Sequence, residues 1–157
     1  MKKQKDSRAE TTTEGASALS RTLADTYVLA LKTQNFHWNV TGPLFAPLHA
    51  QFESQYDELF EAVDTIAERL RALGRPAPGT FKEFGALARV PEAAGERTAE
   101  DMVRSLRDGH RTAARSARES LRAAHSAGDE VTVDLMVERT AAHDKAAWML
   151  SSFLNEQ

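Results

Sequence analysis

Leu19, Leu23, Tyr27, Ala30 and Leu31 keep helical spacing along the early chain and predict a first helix that opens at a Thr11–Glu14 capping box and runs to about Val40. Gly42-Pro43 stops it. A second helix begins between Leu44 and Leu48 and ends at Leu73, with Gly74 placed to cap it. Its apolar positions, Phe52, Tyr56, Leu59, Val63, Ile66, Leu70 and Leu73, step by fours and threes as a bundle core requires. The stretch RPAPGT then reads as a loop and TFKEFGALA as a short helix inside a long connection. A third long helix spans about Thr98 to His125 on a core side of Met102, Leu106, Ala113, Ala117 and Leu121. Residues 126–129 make the turn into a fourth, Glu130 to Leu154, anchored by Trp148, Met149, Leu150 and Leu154. No strand periodicity competes. The pattern predicts an all-α fold: an antiparallel four-helix bundle over residues 15–157, with a short helix in the crossover between the second and third long helices and a flexible basic and polar tail at 1–14.

Composition narrows what such a bundle can do. The 157 residues suit one domain with a real core. Charged residues make up 27% and the formal net charge is −3, so any contact with nucleic acid has to be local. The absence of cysteine excludes disulfides, thiol catalysis and thiolate metal sites, and fits a reducing compartment. The N-terminus lacks the apolar core of a secretory signal and no stretch approaches a membrane span, so a cytoplasmic location is expected. The Asn39-Val40-Thr41 sequon then carries no meaning.

The candidate chemistry centres on two histidines, His37 and His49, on either side of the Gly-Pro break. A di-iron site inside the bundle needs Glu-x-x-His on two helices, and the sequence contains none. The second helix offers two other pairs, His49 with Glu53 and Asp64 with Glu68, each four residues apart. At 100° per residue the four positions fall at roughly 0°, 40°, 60° and 100°, one strip displaced from the core stripe. Glu53 and Asp64 are about 17 Å apart along the axis, so one helix cannot close both pairs on one ion. Both pairs are, however, mirrored about the point between Glu58 and Leu59. Two copies of this helix crossing antiparallel at that point bring His49 opposite the partner subunit's Glu68, and Glu53 opposite the partner subunit's Asp64, as a two-fold interface requires. Phe60, near the centre of the strip, supplies an apolar contact. His37 and His49 lie equally far from the break and so at one level of the bundle. Two imidazoles with three carboxylates suit Fe²⁺, Mn²⁺ or Zn²⁺, with iron preferred. Six acids and no lysine or arginine between Pro43 and Glu68 attract cations to that face.

The stretch KTQNFHWNVTGPLFAPLHAQFESQYDELFEAVDTIAERLRALG, with GDEVTVDLMVERTAAHDKAAWML near the end, resembles the Dps mini-ferritins, the DNA-binding proteins from starved cells. The resemblance implies a ferritin-like bundle assembled through two-fold dimers into a homododecameric cage. It implies a ferroxidase and iron-storage protein that oxidises Fe²⁺ with hydrogen peroxide or dioxygen, stores ferric mineral and protects against oxidative damage. Carried over by position, the iron ligands are His37, His49 and Glu53 of one subunit with Asp64 and Glu68 of the other, and Trp38 lies beside the site to intercept radicals. Many members have Asp where this chain has Glu53, and the longer arm moves that carboxylate by about one methylene. Glu130 and Asp134 match the family's acidic pore, while Asp129 reads as a helix cap. His143 reads as structural, and His110 and His125 carry no signal. The alternative function is a nucleoid-compacting DNA-binding protein, with Lys2, Lys3, Lys5 and Arg8 on the tail as phosphate contacts. The arginine stripe of the third long helix, Arg104, Arg107, Arg111, Arg115, Arg118 and Arg122, reads more economically as a solvated face paired with acids such as Asp108 and Glu119.

Overall fold

A computed structural model describes the backbone of residues 2–155 and the side chains of residues 14–155. The described backbone is helical from Lys2, so the first helix starts before the expected Thr11–Glu14 cap, while the side chains of Thr11 and of the tail cations Lys2, Lys3, Lys5 and Arg8 lie outside the described ones. Five helices and no strand make up the described residues: α1 (Lys2–Asn39), α2 (Phe45–Ala72), the short α3 (Phe81–Leu87), α4 (Ala99–Ala127) and α5 (Glu130–Phe153). The expected four-helix bundle with a helix in its crossover is what forms.

The helix ends follow local chemistry. Gly74 (φ 74°) ends α2: its N–H donates to the Arg71 carbonyl while that of Arg75 reaches back to Leu70, and Gly128 (φ 69°) closes α4 with the same pair of bonds. The α4–α5 turn is therefore shorter than expected, with Ser126 and Ala127 still helical. Thr80 and Glu83 form a capping box on α3, Thr98 caps α4, and Asp129 caps α5 as anticipated.

α1 packs on α2 and on α4, α4 packs on α5, and α3 lies against α1. Phe52, Leu59, Ile66 and Leu70 of α2 are fully buried against Leu19, Leu23 and Leu29 of α1, Leu106 of α4 and Met136 and Leu150 of α5. α1 and α4 meet closely at Gly109, where a Cβ would come within 2.8 Å of Leu29 Cδ1. α2 and α5 approach less closely, and long polar side chains bridge the seam between them: Arg69 reaches Asp129 at 2.6 Å and Thr132 at 2.9 Å, and Arg139 pairs with Glu58. Two residues expected as core are not. Leu31 is partly exposed on the α3 side of α1, and Trp148 points off the bundle at 67% exposure because its position on α5 faces neither α4 nor α2.

The crossover is fastened by a buried carboxylate. Asp25 Oδ1 accepts from the backbone N–H groups of Arg89 (2.6 Å) and Val90 (2.8 Å), and its Oδ2 accepts from Ser116 Oγ (2.6 Å). Lys32 donates to the Pro91 carbonyl at 3.0 Å. Its burial pulls the ammonium pKa below the ordinary lysine value, against the raising effect of Glu96 and Asp108.

Candidate metal centre

The Gly42-Pro43 reversal brings the last turn of α1 beside the first turns of α2, and His37 and His49 stack there with ring centroids 3.7 Å apart. His37 Nδ1 lies 2.9 Å from the His49 carbonyl oxygen and His49 Nδ1 lies 2.9 Å from the His37 carbonyl oxygen. A carbonyl only accepts, so each Nδ1 carries the hydrogen and each Nε2 is left with its lone pair. This is the tautomer a metal-binding imidazole needs, held by the second-shell bond that usually enforces it. Tyr56 meets the His37 ring edge-on at 5.2 Å and Phe45 lies against His49 at 5.0 Å. Burial and the nearby carboxylates Glu53 and Asp57 raise the pKa of the Tyr56 phenol.

Glu53 stands one turn beyond His49 on α2, and Asp64 and Glu68 lie further along the same strip, all three exposed. None of these carboxylates has a hydrogen bond or ion pair to another described residue. Among the described residues, no three His, Asp or Glu side chains of one chain gather closely enough to hold a metal ion. The fold thus unites His37 with His49, sets Glu53 one helical turn from His49 on α2, and leaves Asp64 and Glu68 apart. Trp38 is 62% exposed and has no aromatic partner among the described residues.

Glu130 opens α5, and Asp134 lines an open groove between α2 and α5 with Glu68 and Glu138. Burial pushes the Asp129 carboxyl up, but the hydrogen bonds from Thr132 and the charge of Arg69 together hold it below the usual aspartate value. On α4, Arg104 pairs with Glu100, Arg107 and Arg111 with Asp108, and Arg118 with Asp144. Glu119 accepts Arg89 and Arg21 instead.

A second histidine pair escaped the sequence reading. His110 of α4 and His143 of α5 meet Nδ1 to Nδ1 at 3.0 Å, both buried. Their Nε2 atoms find no protein partner among the described residues, nor do Arg139 Nε, Thr140 Oγ1 or either amide atom of Gln55. Burial, reinforced by Arg139, draws the His110 pKa down to about 3; burial, His110 and Arg139 lower that of His143. The one available signal was the position of His143 among apolar residues.

A ferritin-like domain signature matches residues 16–157. The chain is 38% identical over 138 residues to DNA protection during starvation protein 2 of Bacillus anthracis, covering 88% of this chain and 94% of that protein. The crystal structure of a Dps protein from Bacillus brevis superposes with a TM-score of 0.89 at 34% identity, over 92% of this chain and 97% of that one. That of the Vibrio cholerae Dps protein, described as a member of a broad superfamily of ferritin-like diiron-carboxylate proteins, superposes with a TM-score of 0.88 at 30% identity, over 92% and 91%.

Proposed function

This chain belongs to the ferritin-like family, among its Dps proteins, and we propose that it oxidises Fe²⁺ at sites shared between two subunits and stores the ferric product. The observation that carries the reading is the reciprocal pair of Nδ1 to carbonyl bonds, which leaves two Nε2 lone pairs fixed one helical turn from the position of Glu53, whose carboxylate has no partner among the described residues. One chain supplies too few donors, and α2 carries the missing ones in mirrored positions. An antiparallel crossing of two α2 helices about the Glu58–Leu59 midpoint adds the partner subunit's Asp64 and the partner subunit's Glu68 and yields two equal sites per dimer.

Iron is the substrate here. His37 and His49 bind Fe²⁺ through Nε2, and Glu53 with the partner subunit's Asp64 and Glu68 offsets the charge of the ion and of its ferric product. The oxidant is hydrogen peroxide or dioxygen. Two Fe²⁺ and one hydrogen peroxide, with two protons, give two Fe³⁺ and two waters. Glu53 keeps a carboxylate where an aspartate is common in the family, about one methylene further out. The two-fold dimers assemble into a dodecamer, with Glu130 and Asp134 lining acidic pores through which cations enter. Trp38, exposed in the single chain, lies by the partner subunit in the dimer and intercepts radicals. No described helix is long and apolar enough to cross a membrane, and the work proposed here belongs to the cytoplasm. On α4 most of the arginines are engaged with acids, which favours iron chemistry over DNA compaction by that face.

Anaerobic Fe²⁺ loading followed by hydrogen peroxide, with ferric absorbance as readout, tests the reading. His37→Ala and Asp64→Ala each slow oxidation at least tenfold, a barrier change of about 1.4 kcal/mol or more, while gel filtration shows the oligomer intact. Wild-type rates in both variants overturn it.

A further inference from the structure

Ring contacts lead away from the stacked histidines in one continuous series. Tyr56 meets His37 at 5.2 Å. Phe60, one turn along α2, follows at 6.3 Å, and Tyr27 of α1 at 5.9 Å. Tyr27 then stacks on Phe84 of α3 at 4.4 Å and has Phe81 at 6.5 Å. Both of the chain's two tyrosines stand on this series. Tyr27 also lines an open cavity of about 230 Å³ with Leu31, Phe81 and Phe84. The series thus starts at the proposed ligands and ends at a solvent-open pocket on the far side of α1. A phenol gives up an electron more readily than imidazole, phenylalanine or an aliphatic side chain, so Tyr56 and Tyr27 are the two points where an electron hole can rest.

We propose that Tyr56 and Tyr27, coupled through the Phe60 ring, carry oxidising equivalents away from His37 and His49 to the cavity beside α3. The inference rests on the iron-oxidation reading, which supplies the oxidant. When a site holds a single Fe²⁺, that ion gives one electron to hydrogen peroxide, the O–O bond breaks, and Fe³⁺, hydroxide and a hydroxyl radical result. The hydroxyl radical takes the phenolic hydrogen atom of Tyr56, forming water and a Tyr56 phenoxyl radical. An electron then passes from Tyr27 through Phe60 to Tyr56. The Tyr27 proton leaves to water in the cavity and Tyr56 takes one back from solvent at the site. Tyr56 is restored, Tyr27 holds the one-electron oxidation, and the imidazoles escape it. Phe60 bridges the two phenols and is not itself oxidised.

The test uses the assembled protein loaded with one Fe²⁺ per site, mixed with hydrogen peroxide, freeze-quenched and read by electron paramagnetic resonance, with ferric absorbance followed in parallel. Tyr56→Phe and Tyr27→Phe keep the rings. The wild type gives a tyrosyl radical. Tyr56→Phe lowers the tyrosyl yield several-fold although Tyr27 is present. Tyr27→Phe leaves the iron rate unchanged, but its radical has the altered hyperfine pattern of Tyr56 and decays several-fold faster, with more oxidised His37 and His49 by mass spectrometry. An unchanged yield in Tyr56→Phe, or an unchanged spectrum and lifetime in Tyr27→Phe, overturns the relay while the iron reading stands. Should the wild type fail to oxidise iron, the iron reading falls and iron-free protein decides the relay. In a Trp148→Phe background, azide radicals from pulse radiolysis oxidise Trp38, the one tryptophan left. Growth of the Tyr27 radical that depends on Tyr56 supports the relay, and equal growth in Tyr56→Phe overturns it.

Discussion

His37 and His49 stack across the α1–α2 seam with both Nδ1 atoms on backbone carbonyls, whereas His110 and His143 meet Nδ1 to Nδ1 between α4 and α5. In the first pair each ring is fixed separately as the Nδ1–H tautomer, and both Nε2 atoms are acceptors. In the second, one shared hydrogen forces one ring to donate and the other to accept, so only one Nε2 keeps a lone pair. The surroundings differ as much. His110 is sealed in the core near the Arg139 guanidinium, an environment that resists even a proton and holds its pKa near 3. A divalent cation meets the same penalty more severely. His49 is only half-buried and looks onto a helix strip rich in unpaired carboxylates. Two histidines in contact are therefore not a metal site by virtue of contact; what occupies Nδ1, and the charge of the neighbourhood, decide.

This contrast is broken or sharpened by three measurements. The largest effect is expected on stability. His110→Ala leaves a cavity and strips the His143 Nδ1 of its partner, costing about 3 kcal/mol, against about 1 kcal/mol or less for His49→Ala at the open face. Thermal denaturation at fixed subunit concentration checks this, and equal losses would erase the distinction between a packing pair and an open one. Next, His49→Ala reduces peroxide-driven iron oxidation about 100-fold, or about 2.7 kcal/mol, while His143→Leu changes it by no more than about twofold. Stopped-flow ferric absorbance separates the two.

The smallest effect is a pH slope. The folded-state pKa values of His110 and His143 lie below the 6.5 of an unperturbed imidazole, so the unfolded chain takes up protons that the folded one refuses. Stability is then whole above pH 6.5 and falls as pH drops below it, by about 1.4 kcal/mol per pH unit for each ring kept neutral. The charged groups nearby are Arg139 of α5, which opposes protonation, and its counter-ion Glu58 on α2. Melting between pH 6.5 and 5 shows the slope in the wild type, and replacing both rings by leucine flattens it. A slope that survives the replacement belongs to other groups.

Much of the bundle was legible because it is periodic. The α2 stripe, the Gly74 stop and the Asp129 cap are all local statements about neighbouring residues. The level match of His37 and His49 followed from their equal distance from the Gly-Pro break. The errors and omissions share one cause, namely that pairing between distant helices has no local trace. Asp25 reads as a polar interruption in an apolar face until the crossover, 64 residues on, delivers two backbone N–H groups to it. His110 and His143 are 33 residues apart, and their meeting depends on the α4–α5 register. Trp148 and Leu31 sit at helically reasonable positions, yet no neighbouring helix covers them. The mirrored carboxylates of α2 are visible in the sequence, but what they face lies on another chain.

Tethering each imidazole to the main chain of the opposite helix has a further effect. Neither ring can swing without dragging its counterpart, so the two donors behave as one rigid chelator that forms or is lost whole. The rotamer freedom a floppy ligand surrenders when it captures an ion is surrendered here during folding. An arriving cation meets only the cost of shedding its water, and a frayed end of α1 would release both donors together.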